Sequence, residues 1–428
     1  MNINELHSIF LDFNLISTDT RKIEKDCIFF ALKGDNFNGN KFASEAISKG
    51  AKFAIIDEKE FNLNSNFILV DNVLSTLQEL ANYHRNYLGL KIIGLTGSNG
   101  KTTTKELTNS VLRKRYNTIA TSGNLNNHIG VPLTLLRMDE TTEIGIVEMG
   151  ANHLKEIEFL CRIAEPDYGY ITNFGKAHLE GFGSEEGVIK GKSELYDYLK
   201  TNNKQIFINN EDPIQLKQLG DYLNFIKFGL TDNVIKIDFI EANPFVSVLF
   251  NNYKIKSNLI GSYNFTNISA AIAIGNYFKV TDTDIKDAIE SYTPENNRSQ
   301  IITRNSNKII LDAYNANPTS MKAALDSLSY LKDSKKIAIL GDMFELGESS
   351  KKEHQAIAEY ASSLNIDGVY LVGSNFYNSQ IDFKQITYFE SFEELITSLD
   401  FTNIKNSTLL IKGSRGMALE RILNENVI

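Results

Sequence analysis

Apolar positions along the chain fall into short continuous runs separated by stretches of helix length. Within the first 90 residues the runs are Cys27–Leu32, Phe53–Ile56 and Phe67–Val70, with helical spacing near Lys41–Lys49 and over Val73–Tyr87. That alternation predicts a small α/β unit over residues 1–89, joined to the next unit at Leu88-Gly89. A second set opens with the strand Lys91–Leu95, a glycine loop and a helix over about Thr103–Arg113. It continues with strands at Glu143–Glu148, Tyr168–Thr172 and Gln205–Ile208, with helices between, and predicts a doubly wound, mostly parallel sheet over residues 90–297. Val234–Leu259 alternates apolar and polar residues as a β-rich extension does, and Asn264–Phe278, rich in Ala and Ile, reads as a helix. Residues 298–428 repeat the βαβ rhythm, with strands at Lys308–Asp312, Lys336–Leu340, Gly368–Val372 and Thr408–Lys412. The expected fold class is α/β, with three domains in series.

Composition narrows the class of function. A chain of 428 residues exceeds one ordinary core, and 42% hydrophobic with 23% charged residues suits an ordered globular protein. The net charge of −9 argues against binding nucleic acid through bulk electrostatics. Cys27 and Cys161, the only cysteines, both lie beside apolar residues and are expected to be core thiols. The N-terminus lacks the basic and apolar regions of a signal peptide, and no apolar run approaches the ~20 residues of a membrane span. A cytoplasmic protein without membrane insertion is expected.

The strongest chemical signal is Thr96-Gly97-Ser98-Asn99-Gly100-Lys101-Thr102-Thr103. An apolar strand, a glycine turn and then a helix present backbone N–H groups and a helix N-terminus to an anion. Lys101 supplies a point charge for the β- and γ-phosphates of ATP, and the Thr102 hydroxyl can hold Mg²⁺. The strict Walker A spacing would need glycine where Leu95 stands, so the pattern is the shorter G-x-x-G-K-T. Glu148 ends the run Ile144-Gly145-Ile146-Val147 and projects where a metal ligand belongs, or else serves as an acid before the next helix. His178, in the loop after Tyr168–Thr172, would by itself be an ordinary surface histidine and gains weight from its place after the next strand. The six histidines form no H-x-x-x-H or Cys/His cluster of the kind that binds structural zinc.

Three segments in order, the phosphate loop, Gly123-Asn124-Leu125-Asn126-Asn127-His128-Ile129-Gly130 and Glu148-Met149-Gly150-Ala151-Asn152, resemble the ATP-dependent Mur ligases of cell-wall synthesis. Asp312-Ala313-Tyr314-Asn315-Ala316-Asn317-Pro318, Gly341–Gly347 and Lys412-Gly413-Ser414-Arg415-Gly416 are similar to the MurF branch, as are Asp19-Thr20-Arg21 and Phe30–Gly34. The resemblance spans nearly the whole chain. It implies a small N-terminal domain, a central phosphate-loop domain and a C-terminal Rossmann-like domain. It also implies ligation of D-alanyl-D-alanine to the terminal carboxylate of UDP-N-acetylmuramoyl-tripeptide through an acyl phosphate, by a monomer. Another amide ligase of the superfamily, or an inactive nucleotide-binding protein that kept the fold, are the alternatives.

By the same resemblance, Thr102 and Glu148 serve one magnesium. His178 and a lysine carbamylated by CO₂ serve a second, the lysine being Lys192 in Lys192-Ser193-Glu194, with Lys190 the competing assignment. Asn267 becomes a contact of the adenine side, Arg298 of the γ-phosphate and Asp312 of the ribose. The sequence has Asn297-Arg298-Ser299-Gln300 where many relatives carry Gly-Arg-Leu, a departure that bears on the shape of the loop more than on the arginine's role. Thr20, Arg21, Lys33 and Gly34 would hold the uridine diphosphate end. Asn124, Asn126, Asn127 and His128 would face the pyrophosphate or muramoyl part, or stabilise their own loop. Asn315, Asn317 and Arg415 are the dipeptide-side candidates.

Overall fold

A computed structural model describes residues 1–423 apart from Asn233, Asn296 and Ser334, so the last five residues of the third predicted unit lie outside the described residues. The opening unit carries a four-stranded parallel sheet in the order Ile16–Ser17, Ile28–Phe30, Phe53–Ile56, Phe67–Leu69. Cys27 and Phe29 face one buried cluster with Ala43 and Ala54. The helix Val73–Leu88 begins at Asn72, whose side chain accepts the Ser75 N–H, and ends at Gly89 in the left-handed conformation.

That helix ties the first unit to the second. Arg85, buried near its end, donates to the carbonyls of Ala164 (3.1 Å) and Glu165 (2.7 Å) and to Asp167 Oδ2 (3.0 Å). Apart from its neighbour Asn86 (3.0 Å), the groups that satisfy this cation lie some 80 positions away, so little in its local sequence marks it.

The central sheet has nine strands. Its parallel core runs Gln205–Asn209, Tyr168–Ile171, Lys91–Thr96, Ile144–Glu148, Thr118–Ala120. Lys91–Thr96 lies between Tyr168–Ile171 and Ile144–Glu148, where the order of connection reverses, and crevices for ligands open at the carboxyl ends of strands at such a point. The alternating segment forms three mutually antiparallel strands, Ile235–Ala242, Phe245–Phe250 and Tyr253–Ile260, the first of which joins the same sheet in parallel beside Phe225–Gly229. The helix after the phosphate loop begins at Lys101, two residues earlier than its apolar spacing predicts, because Gly100 (φ 79°) turns the chain directly into it.

The third sheet has six strands in the order Gln300–Arg304, Asn307–Asp312, Thr408–Lys412, Lys336–Gly341, Gly368–Val372, Ile386–Phe389. The first pair is antiparallel and the rest are parallel. The largest buried apolar cluster draws on all three units, including Leu80, Leu195 and Leu340. Cys161 is wholly buried, with its Sγ 3.8 Å from Met149 Sδ.

Candidate active site

The carboxyl ends of three adjacent strands deliver the phosphate loop, Glu148 and the loop to His178 onto one side of the central sheet. Leu95 pairs in register with Glu148, and Thr96 with Ile171. The loop itself is tightly built. A Cβ on Gly97 would lie 2.1 Å from Thr172 Oγ1 and one on Gly100 2.4 Å from Asn267 Oδ1, so only glycine fits at either place. Asn267 is therefore a wall of the loop, and its Oδ1 also accepts the Thr104 hydroxyl at 3.1 Å.

Lys101 Nζ donates to the Gly97 (2.6 Å) and Ser98 (3.2 Å) carbonyls. Burial draws its pKa down to about 8, against the pull of Glu148. Thr102 Oγ1 donates to Glu148 Oε2 at 2.9 Å, and Asn126 Nδ2 donates to Glu148 Oε1 at 2.8 Å. Glu148 is thus a buried carboxylate with one oxygen beside the Thr102 hydroxyl.

Lys192 is fully buried. Its Nζ donates to the Ala151 carbonyl at 2.9 Å and sits 4.9 Å over the Phe182 ring, and burial, then Lys101, holds its pKa well below the usual lysine range. Lys190 is exposed.

The third unit closes the cavity from the opposite side, which encloses about 950 Å³. Lys412 Nζ donates to Asp312 Oδ2 at 2.6 Å, and Asp312 Oδ1 accepts the Ser299 N–H at 3.1 Å. The Arg298 guanidinium lies 3.8 Å over the Tyr314 ring. Asn317 caps the helix Pro318–Tyr330 and also meets Asn99 of the phosphate loop. His178 Nδ1 lies 2.5 Å from Glu345 Oε2, off the line of an aligned hydrogen bond, and the ring beside it holds Glu345 below the usual carboxylate range.

The cavity brings together Ser98–Thr103, Asn124, Asn126, Asn127, His128, Glu148, His178, Asn267, Arg298, Asp312, Asn315 and Asn317. Among them Asn127 Oδ1 accepts the Ile129 and Gly130 N–H groups, so this side chain stabilises its own loop. Thr20, Arg21, Lys33 and Gly34 do not line the cavity. Arg21 projects into solvent paired with Asp19, and Lys33 pairs with Asp57 at 3.0 Å. Arg415 also stays outside the lining and pairs with Glu420 at 2.9 Å. Lys412, Tyr263 and Glu345 line the cavity and escaped sequence reasoning. Lys412 opens the Lys-Gly-Ser-Arg motif, and its position at a strand end was the available signal.

No group of three or more His, Cys, Asp or Glu residues that could hold a metal occurs among the described residues. A hydroxyl and a carboxylate 2.9 Å apart, Thr102 and Glu148, suit magnesium, which takes few protein ligands and completes its shell with water and phosphate oxygens.

A phosphate loop and a facing third domain define a nucleotide-dependent ligase architecture, and the family comparisons agree: the chain belongs to the Mur ligase family. Family models described as the Mur ligase catalytic domain, the Mur ligase middle domain and the Mur ligase glutamate ligase domain match residues 12–86, 95–275 and 297–415. Within the family the similarity is to the MurF branch. The UDP-N-acetylmuramoyl-tripeptide–D-alanyl-D-alanine ligase of Bacillus subtilis is 35% identical, covering 96% of this chain and 92% of that protein. The ligase of the same name from Escherichia coli is 32% identical over 99% and 96%. MurF from Acinetobacter baumannii superposes with a TM-score of 0.86 at 29% identity, covering 96% of this chain and 93% of that one. MurF from Thermotoga maritima, solved in complex with ADP, gives 0.84 at 29%, covering 96% of each.

Proposed function

We propose that this chain uses ATP to join D-alanyl-D-alanine to the terminal carboxylate of UDP-N-acetylmuramoyl-tripeptide, giving the pentapeptide precursor, ADP and phosphate. The observation that carries the proposal is one cavity in which Lys101, Thr102 and Glu148 face Arg298, Asp312 and Lys412 from another domain. Relatives bearing that activity in their names match essentially the whole chain.

The difficulty in the reaction is electrostatic, because an anionic carboxylate must approach an anionic γ-phosphate. Lys101 and the loop N–H groups neutralise and orient the phosphates, and Arg298 approaches from the other domain. Phosphoryl transfer turns the carboxylate into an acyl phosphate, and the dipeptide amine displaces phosphate to form the amide. Asp312, held by Lys412, suits the ribose hydroxyls. Enclosure by two domains keeps water from the acyl phosphate.

Thr102 and Glu148 would hold one magnesium ion, and His178 with Lys192 a second. Magnesium supplies charge neutralisation at the phosphate oxygens. An ammonium cannot ligate a cation, but the buried Lys192 amine is readily neutral. A neutral amine adds to CO₂ and loses a proton, leaving a carbamate with two oxygens for the ion. The burial of Lys192 and the exposure of Lys190 favour Lys192 for this role.

Asn124, Asn126 and His128 stand where a pyrophosphate or sugar could pass, and Asn315 on the dipeptide side. Thr20, Arg21, Lys33 and Gly34 suit the uridine diphosphate end. No helix among the described residues is long and apolar enough to cross a membrane. The use of ATP favours a cytoplasmic place of work for a monomer.

The test is turnover of ATP with UDP-N-acetylmuramoyl-tripeptide and a panel of amino acids and dipeptides. Turnover with D-alanyl-D-alanine is expected. Turnover with a single amino acid but not the dipeptide would sink the assignment.

A further inference from the structure

We infer that Glu345, on the third domain, is a positioning residue for the ring of His178, on the central domain, so that His178 is set for its divalent cation only when the two domains are closed. This inference rests on the proposed role of His178 as a ligand. What it adds is a named carboxylate from the opposite domain that makes the ligand competent.

Both residues are held in left-handed backbone conformations, His178 at φ 53° and Glu345 at φ 61°. Neither is glycine, and such conformations cost on the order of 1 kcal/mol or more and persist only where the surroundings impose them. The two strained residues face each other across the domain boundary. The backbone around them is joined as well: the Glu180 N–H donates to the Glu345 carbonyl at 3.1 Å.

The loop carrying Glu345 is anchored within its own domain at two points. The Met343 N–H donates to His354 Nε2 at 3.0 Å, and the Phe344 N–H donates to Ser414 Oγ at 2.8 Å. Gly347 (φ 53°) takes the left-handed turn that follows and lies against Glu180, in ordinary van der Waals contact. The carboxylate is thus delivered by a rigid loop to one ring nitrogen.

The chemical consequence follows from the geometry of imidazole. Glu345 Oε2 lies 2.5 Å from Nδ1 but off the hydrogen-bond line, so a small rotation of the ring aligns the pair, and a proton held on Nδ1 in that arrangement leaves the Nε2 lone pair for a cation. A carboxylate on the far nitrogen also fixes the plane of the ring. Lys176, two positions before His178, separately bridges to Glu353 of the third domain at 2.9 Å, which provides a control for closure that does not touch the ring.

The test is titration of the full-length protein with Mn²⁺, followed by electron paramagnetic resonance, in the presence of a non-hydrolysable ATP analogue. The wild-type chain is expected to take up two ions. His178→Ala and Glu345→Ala should each weaken one of them, by about 10- to 100-fold as removal of such outer partners does elsewhere. Glu345→Gln, which keeps size and a hydrogen-bond acceptor, should weaken it less, and it keeps the test decisive if the alanine variant misfolds. Glu353→Ala should leave both ions bound within about threefold of wild type. Wild-type binding by Glu345→Ala alongside a loss in His178→Ala would overturn the inference while leaving the ligand reading intact. An equal loss in Glu353→Ala would assign the effect to closure in general and also overturn it. Wild-type binding by His178→Ala would remove the ligand reading and the inference together.

Discussion

Asn317 Nδ2 donates to Asn99 Oδ1 at 2.7 Å, joining the phosphate loop to the first turn of a helix 218 positions further along the chain. Asn317 Oδ1 meanwhile accepts the Ser320 N–H at 2.9 Å as that helix's cap. One side chain therefore does two separable things. Asn317→Ala removes both the cap and the interdomain bond, and loss of a cap costs about 1 kcal/mol. Asn317→Asp keeps a good cap but sets a carboxylate beside the phosphate loop. The aspartate variant should melt near wild type yet raise the KM for ATP several-fold, whereas the alanine variant should lose stability as well. Thermal melts and ATP kinetics on the two variants check this, and equal behaviour of both would contradict the dual role.

Lys192 and Lys190 are separated by burial, and their substitutions should be too. Lys192→Ala is expected to lose ligase activity by at least about 10²-fold, the scale of removing one transition-state electrostatic partner. Added short-chain carboxylates should restore part of it by replacing the carbamate oxygens. Lys190→Ala should turn over like the wild type. Full activity of Lys192→Ala without additive would show that the other lysine carries the role.

The pKa of Lys101, about 8, gives ATP binding a pH dependence in the nucleotide-free protein. ATP requires the charged amine, which is present below that pH. Above it, binding must take up a proton, so affinity should fall as pH rises, towards about tenfold per pH unit. Calorimetric titration between about pH 7 and 9.5, in buffers of different ionisation enthalpy, measures both the fall and the proton. Lys101→Ala should abolish ATP-dependent ADP formation and flatten the profile.

A stability effect is expected where the first two units meet. His7 Nε2 and His84 Nδ1 lie 3.0 Å apart, and His84 Nε2 reaches the Met138 carbonyl at 2.8 Å. Burial lowers both pKa values below 6.5, more than the Met138 carbonyl and Asp139 restore at His84. The unfolded chain therefore binds more protons just below pH 6.5, so the contribution of this pair is complete above that pH and lost as pH falls through the folded values. The melting temperature should drop between about pH 7 and pH 5, and substituting both histidines by Asn should flatten that drop.

The sequence by itself determined the kind of most core elements and the identity of the nucleotide loop, but not the opening helix Ile3–Phe13 or the edge strand Gln300–Arg304. Apolar runs of strand length and the glycine turn before Lys101 are local properties, set by backbone sterics and burial within a few residues. The order of motifs was also enough to find the family, because each motif is a short contiguous stretch. Tertiary structure decided everything that depends on which distant groups meet. The resemblance already pointed to Lys192 over Lys190 on the same helix, and the fold adds that the first is buried and the second exposed. Closure of the third domain placed Lys412 rather than Arg415 in the cavity, although both stand in one motif. A strand end points its last side chains at the crevice, while the next turn carries the chain past it. The pairing of His178 with Glu345, and of Asn99 with Asn317, was invisible for the same physical reason: electrostatic and hydrogen-bond partners act through space over a few ångströms, and no spacing along the chain encodes them.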